Sequence, residues 1–312
     1  MRPPCLNKLG CQKVFFFLLV MVCFLAFPAW ASPKKKNQKF KKPVTDPDLP
    51  KKYVSSHFEI YTRESKKYAK QVATVLEIFR KTFVKGFGSS RCFGRPLKIL
   101  KPQVFIFPQK SDFVAFCQKH KPAMVNREAF FDWWWGPGME RVKTQWHFRL
   151  ISFVHSSFKE TQKFLIHELT HIFLNYYLDR IPLWLDEGIA TYMQTALIQR
   201  GRLKQGIPAY GFLKELRQAY REKRNIPLKE LFKMGPDDDS KFTPLHYAQS
   251  WALVHFLLSN KRSVRAFWAF LKKVEKTKKY EDAFWKIFFR RYSEIALHQL
   301  EKALKAYVFR LK

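Results

Sequence analysis

The segment that decides the fold is FLIHELTHIFLN, residues 164–175, in which two histidines stand four positions apart. Apolar residues surround the polar positions, so the segment predicts a buried helix. Because positions i and i+4 lie on the same face of a helix, His167 and His171 can bind one metal ion. Glu168 lies about 100° round the helix from His167 and is therefore predicted to be the acid/base rather than a ligand.

A third ligand is expected downstream, because a catalytic zinc usually keeps three protein ligands and one open position. Glu187, in the segment PLWLDEGIATY at residues 182–192, is the candidate. Pro182 can begin a helix there, and Gly188 and Ala190 would let that helix approach the first one closely. Asp186 is assigned at most a role in supporting a metal ligand from behind or in capping the helix. The alternative is an accidental motif, with two core histidines beside a surface glutamate.

Acyl-transfer chemistry at such a centre also needs a donor for the developing oxyanion. Tyr247 and His246 are the candidates. Tyr247 stands at the start of an apolar helical segment, and it could equally be a core tyrosine with a hydrogen-bonded hydroxyl. The histidines without ligand spacing are assigned to core or surface positions: His147, His155 and His255.

The rest of the sequence predicts an α+β fold in one catalytic unit, residues 53–312. A small mixed β-sheet with helices is expected in residues 53–155, and a mainly helical half in residues 156–312. Strands are predicted at residues 58–61, 104–107 and 146–150, with helices at 65–83 and after a cap at Ser111 and Asp112. The stretch FFDWWWGPG, residues 130–138, lacks a regular period and predicts an aromatic loop.

The N-terminus predicts an export signal in residues 1–31. Basic residues precede an apolar stretch, Val14 to Phe27, and small residues offer a cleavage site near Ala31. A retained membrane anchor is the alternative, but a spanning helix needs roughly 20 apolar residues. Residues 32–52 are rich in proline and lysine and predict a basic disordered linker. The expected location is therefore the periplasm or the extracellular space.

Two cysteines remain after the predicted signal, Cys92 and Cys117. In an oxidising compartment they could form one disulfide. Two separate thiols are the alternative, with at least one of them buried. The sequence leaves both possibilities open, and neither cysteine has the spacing of a metal or redox site.

The charge balance is strongly basic, with 58 Lys and Arg against 25 Asp and Glu and a formal net charge of +33. The predicted signal carries three of the basic residues and no acidic one, so its removal leaves +30. Such a charge attracts anionic surfaces, including envelope polymers, and favours acidic substrates. The basic residues are spread along the chain without a known nucleic-acid-binding pattern, which disfavours specific nucleic-acid recognition.

Three segments together resemble the gluzincin metallopeptidases of the peptidase MA-like type: HELTH, PLWLDEGIATY and YAQSWALV at residues 247–254. The resemblance extends from about Tyr53 to the C-terminus. It implies a thermolysin-like catalytic core in which zinc is held by two histidines and a downstream glutamate, here His167, His171 and Glu187. It also implies a catalytic glutamate at Glu168 and a donor on a later helix. The strand at residues 146–150, which precedes the metal helix, would be an edge strand that pairs with the substrate backbone.

One spacing departs from thermolysin-like members of that group. Only fifteen residues separate His171 from Glu187, and no amino-terminus-binding motif is present. The expected function is that of an exported zinc peptidase acting on peptides or proteins by metal-activated water. The alternatives are a catalytically silent protein of the same fold that binds anionic envelope polymers, and a basic nucleic-acid-binding protein, whose affinity would depend steeply on salt.

Overall fold

The computed structural model describes residues 45–87, 92–93, 96–99, 101–137 and 144–312. The predicted signal and most of the predicted linker lie outside these residues. None of the helices in the described part of the chain combines the length and apolar character needed to cross a membrane.

A mixed sheet of five strands forms the first half, in the order β1-β2-β3-β5-β4. Its strands are β1 (Lys51–Val54), β2 (Glu59–Thr62), β3 (Gln103–Phe107), β4 (Ala129–Pro137) and β5 (Thr144–Phe153). β2, β3 and β5 run parallel, whereas β1 and β4 pair antiparallel at the two edges. The strands of the interior alternate between two buried faces, because helices cover both sides of the sheet.

Two apolar cores lie on opposite faces of the sheet. The first core holds α1 (Lys66–Lys85) and α3 (Phe158–Tyr177) against one face and continues into the helical half. The second core joins α2 (Lys110–His120) to the other face; its buried members are Leu49, Phe105, Phe107, Phe113, Cys117, Phe130, Ile151 and Phe153. Cys92 belongs to the first core and Cys117 to the second, and no disulfide joins them.

The second half is mainly helical. After α3 it contains α4 (Leu183–Gln194), α5 (Tyr210–Arg221), α6 (Leu228–Lys233), α7 (Pro244–Leu257), α8 (Lys261–Thr277), α9 (Tyr280–Phe289) and α10 (Glu294–Arg310). A short hairpin of β6 (Leu197–Gln199) and β7 (Arg202–Lys204) follows α4, and 3-10 helices lie at Pro122–Met124 and Pro236–Lys241. The α+β fold class is confirmed, although the hairpin was not predicted.

Three local predictions were wrong. Leu49 is buried and β1 begins at Lys51, so ordered structure begins before the predicted end of the linker at residue 52. α2 begins after Gln109 rather than at a Ser111 cap. The predicted aromatic loop is strand β4, whose pairing with β5 continues from Ala129 to Pro137.

A buried arginine links the start of the described chain to the sheet. Arg149 in β5 is fully buried, and its guanidinium contacts Asp46 at 2.6 Å and Asp132 of β4 at 2.7 Å. Lys121 adds a contact to Asp132 at 3.2 Å. Because a buried charge is costly unless it is paired, these carboxylates are required for Arg149 to be accommodated beside the second core.

Candidate metal centre

Helix α3 presents both histidines of the motif. Ser157 caps its start, where the hydroxyl accepts a hydrogen bond from the Glu160 amide. Phe173, on the apolar side of α3, is fully buried and stacks on Phe79 of α1 with ring centroids 5.9 Å apart. This packing fixes the rotation of α3, so that His167 and His171 project from the same side, as the spacing of the motif predicts.

The three predicted ligands converge. His167 Nε2 and His171 Nε2 lie 3.0 Å apart. Glu187 Oε2, from α4, lies 3.2 Å from His167 Nε2 and 3.6 Å from His171 Nε2. The described residues contain no other cluster of this kind among His, Cys, Asp and Glu side chains.

The spacing of these atoms fits a zinc ion. Ligands at about 2.0–2.1 Å in a tetrahedral arrangement stand about 3.3 Å from one another, close to the separations seen here. Glu187 Oε2 is buried and forms no well-directed hydrogen bond, which is costly unless a cation is supplied. Two imidazoles and a carboxylate are also a ligand set that zinc prefers.

Asp186 lies behind the cluster. Its Oδ1 is 2.9 Å from His171 Nδ1. With a metal bound, a proton kept on Nδ1 beside this carboxylate would leave the Nε2 lone pair for the ion. Burial acts to lower the pKa of His171, but the charges of Asp186 and Glu187 outweigh it, so that the pKa lies well above its ordinary value. The site therefore already favours positive charge between its carboxylates.

Replacing Asp186 with alanine should weaken zinc binding by about 10–100-fold, because His171 loses the partner that fixes its ring and its tautomer. Competition with a chromophoric chelator would measure the affinity. The matched control is Asp179→Ala, since Asp179 is exposed and pairs with Lys278 outside the cluster. Equal zinc affinities for the two variants would rule out this role of Asp186.

Helix α4 is held against α7 at Gly188. A Cβ atom built on Gly188 would lie 2.8 Å from the Ser250 backbone oxygen and 2.8 Å from Val254 Cγ2. The glycine therefore allows a close approach to α7, not to α3 as the sequence predicted. Because Glu187 precedes it directly, this contact fixes the metal ligand relative to Tyr247, which α7 carries.

Replacing Gly188 with alanine should lower the free energy of unfolding by about 1–3 kcal/mol, because the added methyl group forces α4 away from α7. Thermal or urea unfolding would measure the change. Gly211 in α5 provides the control, since a Cβ there meets no atom within 4 Å. Gly211→Ala should be neutral or stabilising by up to about 1 kcal/mol, and a similar loss in both variants would contradict the packing argument.

Glu168 is partly buried and lies beside the cluster on α3. Burial raises its pKa above the ordinary range, while the positive charges of His167 and His171 act to lower it. A carboxylate whose pKa is raised is a better proton acceptor and can later return the proton. Its surroundings thus suit an acid/base better than a solvated surface group.

Tyr247 is joined to an arginine that the sequence did not single out. Its hydroxyl accepts a hydrogen bond from Arg127 Nη1 at 3.5 Å, and Arg127 also forms an ion pair with Asp239. Burial, together with the charge of Glu187, raises the pKa of Tyr247 to about 12. The hydroxyl therefore keeps its proton at neutral pH. Arg127 lies in no motif, so only the folded structure reveals it.

The other histidines have separate partners. His246 Nδ1 accepts a hydrogen bond from the Thr243 amide at 3.1 Å and thereby caps α7. His255 Nδ1 contacts the Tyr307 hydroxyl at 2.7 Å. His155 stacks on Phe164, and His147 lies in β5. None of these four belongs to the metal cluster.

Strand β4 borders the cluster. Its Phe131 ring stacks on the His171 imidazole with centroids 5.7 Å apart. Trp133, two residues along the strand, is on the same face and 47% exposed. The prediction that residues 146–150 form the edge strand was wrong, because β5 pairs on both sides and β4 is the edge.

A comparison with protein families gives a match over part of the chain. A family described as "Protein of unknown function (DUF1570)" matches residues 165–281. This span contains His167, His171, Glu187 and Tyr247, but not the sheet or Arg127. No curated protein matches the chain.

Proposed function

We propose that the chain is an exported zinc peptidase with a gluzincin-type catalytic core. The convergence of His167 Nε2, His171 Nε2 and Glu187 Oε2 within 3.6 Å carries the proposal. Zinc bound by these three residues would supply Lewis-acid activation of water and of the scissile carbonyl. The predicted signal in residues 1–31 supports action outside the cytoplasm.

Glu168 is the acid/base of this proposal. It accepts a proton from the attacking water as the water oxygen bonds to the carbonyl carbon. The C–N bond then breaks, and Glu168 returns the proton to the leaving amine. Burial raises the pKa of Glu168, which makes this carboxylate a better proton acceptor than a solvated one.

Tyr247 is assigned to the developing oxyanion. It keeps its proton, it is held by Arg127, and it comes from a helix that packs closely on α4 beside Glu187. A hydroxyl placed in advance can donate to the oxyanion without the cost of reorganising water. The alternative from the sequence is a core tyrosine with a hydrogen-bonded hydroxyl, and the hydrogen bond from Arg127 fits that alternative as well. The closeness of Tyr247 to the charge of Glu187 is what favours the oxyanion role.

Substrate binding is assigned to β4. An edge strand offers unpaired backbone groups to which an extended peptide can add as a further strand. β4 is the edge on the side of the cluster, with Phe131 against His171. Trp133 would form part of a wall for a substrate side chain.

A second candidate is a silent protein of this fold that binds anionic envelope polymers. The net charge of +33 favours it. The two candidates differ in the role of Glu168. The peptidase uses Glu168 as the acid/base, whereas polymer binding needs no acid/base beside the metal.

The test is metal content and hydrolysis of a mixed peptide library by the protein beginning at Ser32. We expect an equimolar amount of zinc, cleavage that a chelator abolishes, and recovery on adding zinc. Zinc without cleavage, together with salt-sensitive binding to an acidic polysaccharide, would favour the second candidate. Failure to bind zinc at all would refute the metal site.

A further inference from the structure

Arg127 is a cation placed beside the proposed active site. It lies two residues before the start of β4, and its guanidinium reaches the Tyr247 hydroxyl on α7. Its charge acts on both Glu187 and Glu168. The Asp239 carboxylate, in the 3-10 helix Pro236–Lys241, holds the other side of the guanidinium.

The contacts of Arg127 use only part of its hydrogen-bonding capacity. A guanidinium has five N–H donors. Nη1 donates to Tyr247 and Nη2 to Asp239, and the side chain is 44% exposed. The remaining N–H donors of this partly exposed side chain could bind a ligand, and the planar geometry of the guanidinium matches a carboxylate.

The position of Arg127 beside the edge strand determines which substrate group it could contact. A peptide added to β4 runs beside Ala129 to Pro137, and Arg127 stands at the end where the strand begins. The Phe131 ring faces His171 of the metal cluster, and Phe131 and Tyr247 both pack against the first core. A substrate group just beyond the scissile bond would therefore come within reach of Arg127.

We propose that Arg127 binds a carboxylate of the substrate, and that the peptidase thereby selects anionic peptides. The carboxylate is either the free C-terminus or an acidic side chain near the cleaved bond. This inference rests on the proposed function. The Asp239 carboxylate keeps Arg127 in position. The hydrogen bond from Arg127 to Tyr247 places the bound carboxylate next to the residue assigned to the oxyanion.

The general basic charge of the protein is the competing explanation for any preference for acidic peptides. A matched control separates the two. Arg180 forms an exposed ion pair with Asp237, in the same 3-10 helix as Asp239, so Arg180→Gln removes one positive charge nearby without touching the site. Arg127→Gln removes the proposed contact, and Arg127→Lys keeps the charge but not the planar donor group.

The experiment uses zinc-loaded protein and two pairs of matched peptides. The first pair has one sequence with either a free C-terminal carboxylate or a C-terminal amide. The second pair has either glutamate or glutamine next to the cleaved bond. In the wild type we expect kcat/KM to be at least about tenfold higher for one acidic member over its neutral partner, as for a hydrogen bond between charged groups. The member preferred identifies the source of the carboxylate. Arg127→Gln should remove the preference, Arg127→Lys should retain part of it, and Arg180→Gln should leave it unchanged.

A second readout is independent of turnover. Fluorescence anisotropy would measure the affinity of the same labelled peptides for zinc-loaded Glu168→Gln protein, with and without Arg127→Gln. An Arg127-dependent preference in binding, without cleavage by the wild type, would sustain this inference and refute the peptidase. Equal affinity for acidic and neutral peptides, or a preference that survives Arg127→Gln, would refute the inference while leaving hydrolysis intact.

Discussion

Replacing Glu168 with glutamine should lower kcat for peptide hydrolysis by about 10²–10⁴-fold, because the amide cannot take up the proton of the attacking water. Zinc content should not change, since Glu168 is not among the three converging ligands. The measurement is kcat/KM with a cleaved peptide, paired with zinc determination on the same samples. KM should change little, because glutamine has nearly the same shape as glutamate.

Glu160→Gln is the control for this prediction. Glu160 lies in the first turn of the same helix and forms a partly exposed ion pair with Lys163. Its replacement should leave kcat/KM within about twofold of the wild-type value. Glu160 is outside the metal cluster, and an ion pair near the surface contributes little to the stability of the helix. Full activity in Glu168→Gln would exclude Glu168 as the acid/base and would direct attention to another proton acceptor.

Replacing Arg149 with methionine should lower the free energy of unfolding by about 3–5 kcal/mol, because it leaves the carboxylate of Asp132 without its buried partner. Asp132 is mostly buried, and its carboxylate would keep only Lys121 at 3.2 Å and the Trp133 amide at 3.0 Å. The same substitution frees Asp46, so residues 45–50 should become accessible to protease. Urea unfolding and limited proteolysis would measure the two effects.

The control is Arg63→Met. Arg63 also holds the beginning of the described chain, through Asp48, but both side chains of that pair are exposed. We expect a loss below about 1 kcal/mol. If both substitutions cost the same, burial of the Arg149 pair would have no energetic consequence. A double variant tests the cause of the loss. If the unpaired charge of Asp132 is the cause, adding Asp132→Asn to Arg149→Met should restore part of the free energy of unfolding.

Local spacing predicted most of what lies on α3 and α4. The positions of His167, His171 and Glu187 follow from helical periodicity and from a short segment with clear helix signals. The helical half was recovered for the same reason. The hairpin β6–β7 was missed because strands of three residues carry almost no periodic signal.

The sheet depended on contacts that no local pattern contains. Three consecutive tryptophans hide the alternation of β4, so the strand resembled a loop. Sheet order is set by pairing between distant segments, and this is why the edge was assigned to β5. Arg149 stands on the polar side of the alternation in β5, yet this face packs against α2 and Arg149 is fully buried.

The placement of the cysteines has a consequence for handling the protein. Cys117 is enclosed in the second core, and burial raises the pKa of its thiol to about 11. Thiolate is the reactive form, so alkylating reagents should modify Cys117 only when α2 leaves the sheet. The rate of that modification then reports how often this face of the protein opens, and reductants should have no effect on a fold that contains no Cys92–Cys117 bond.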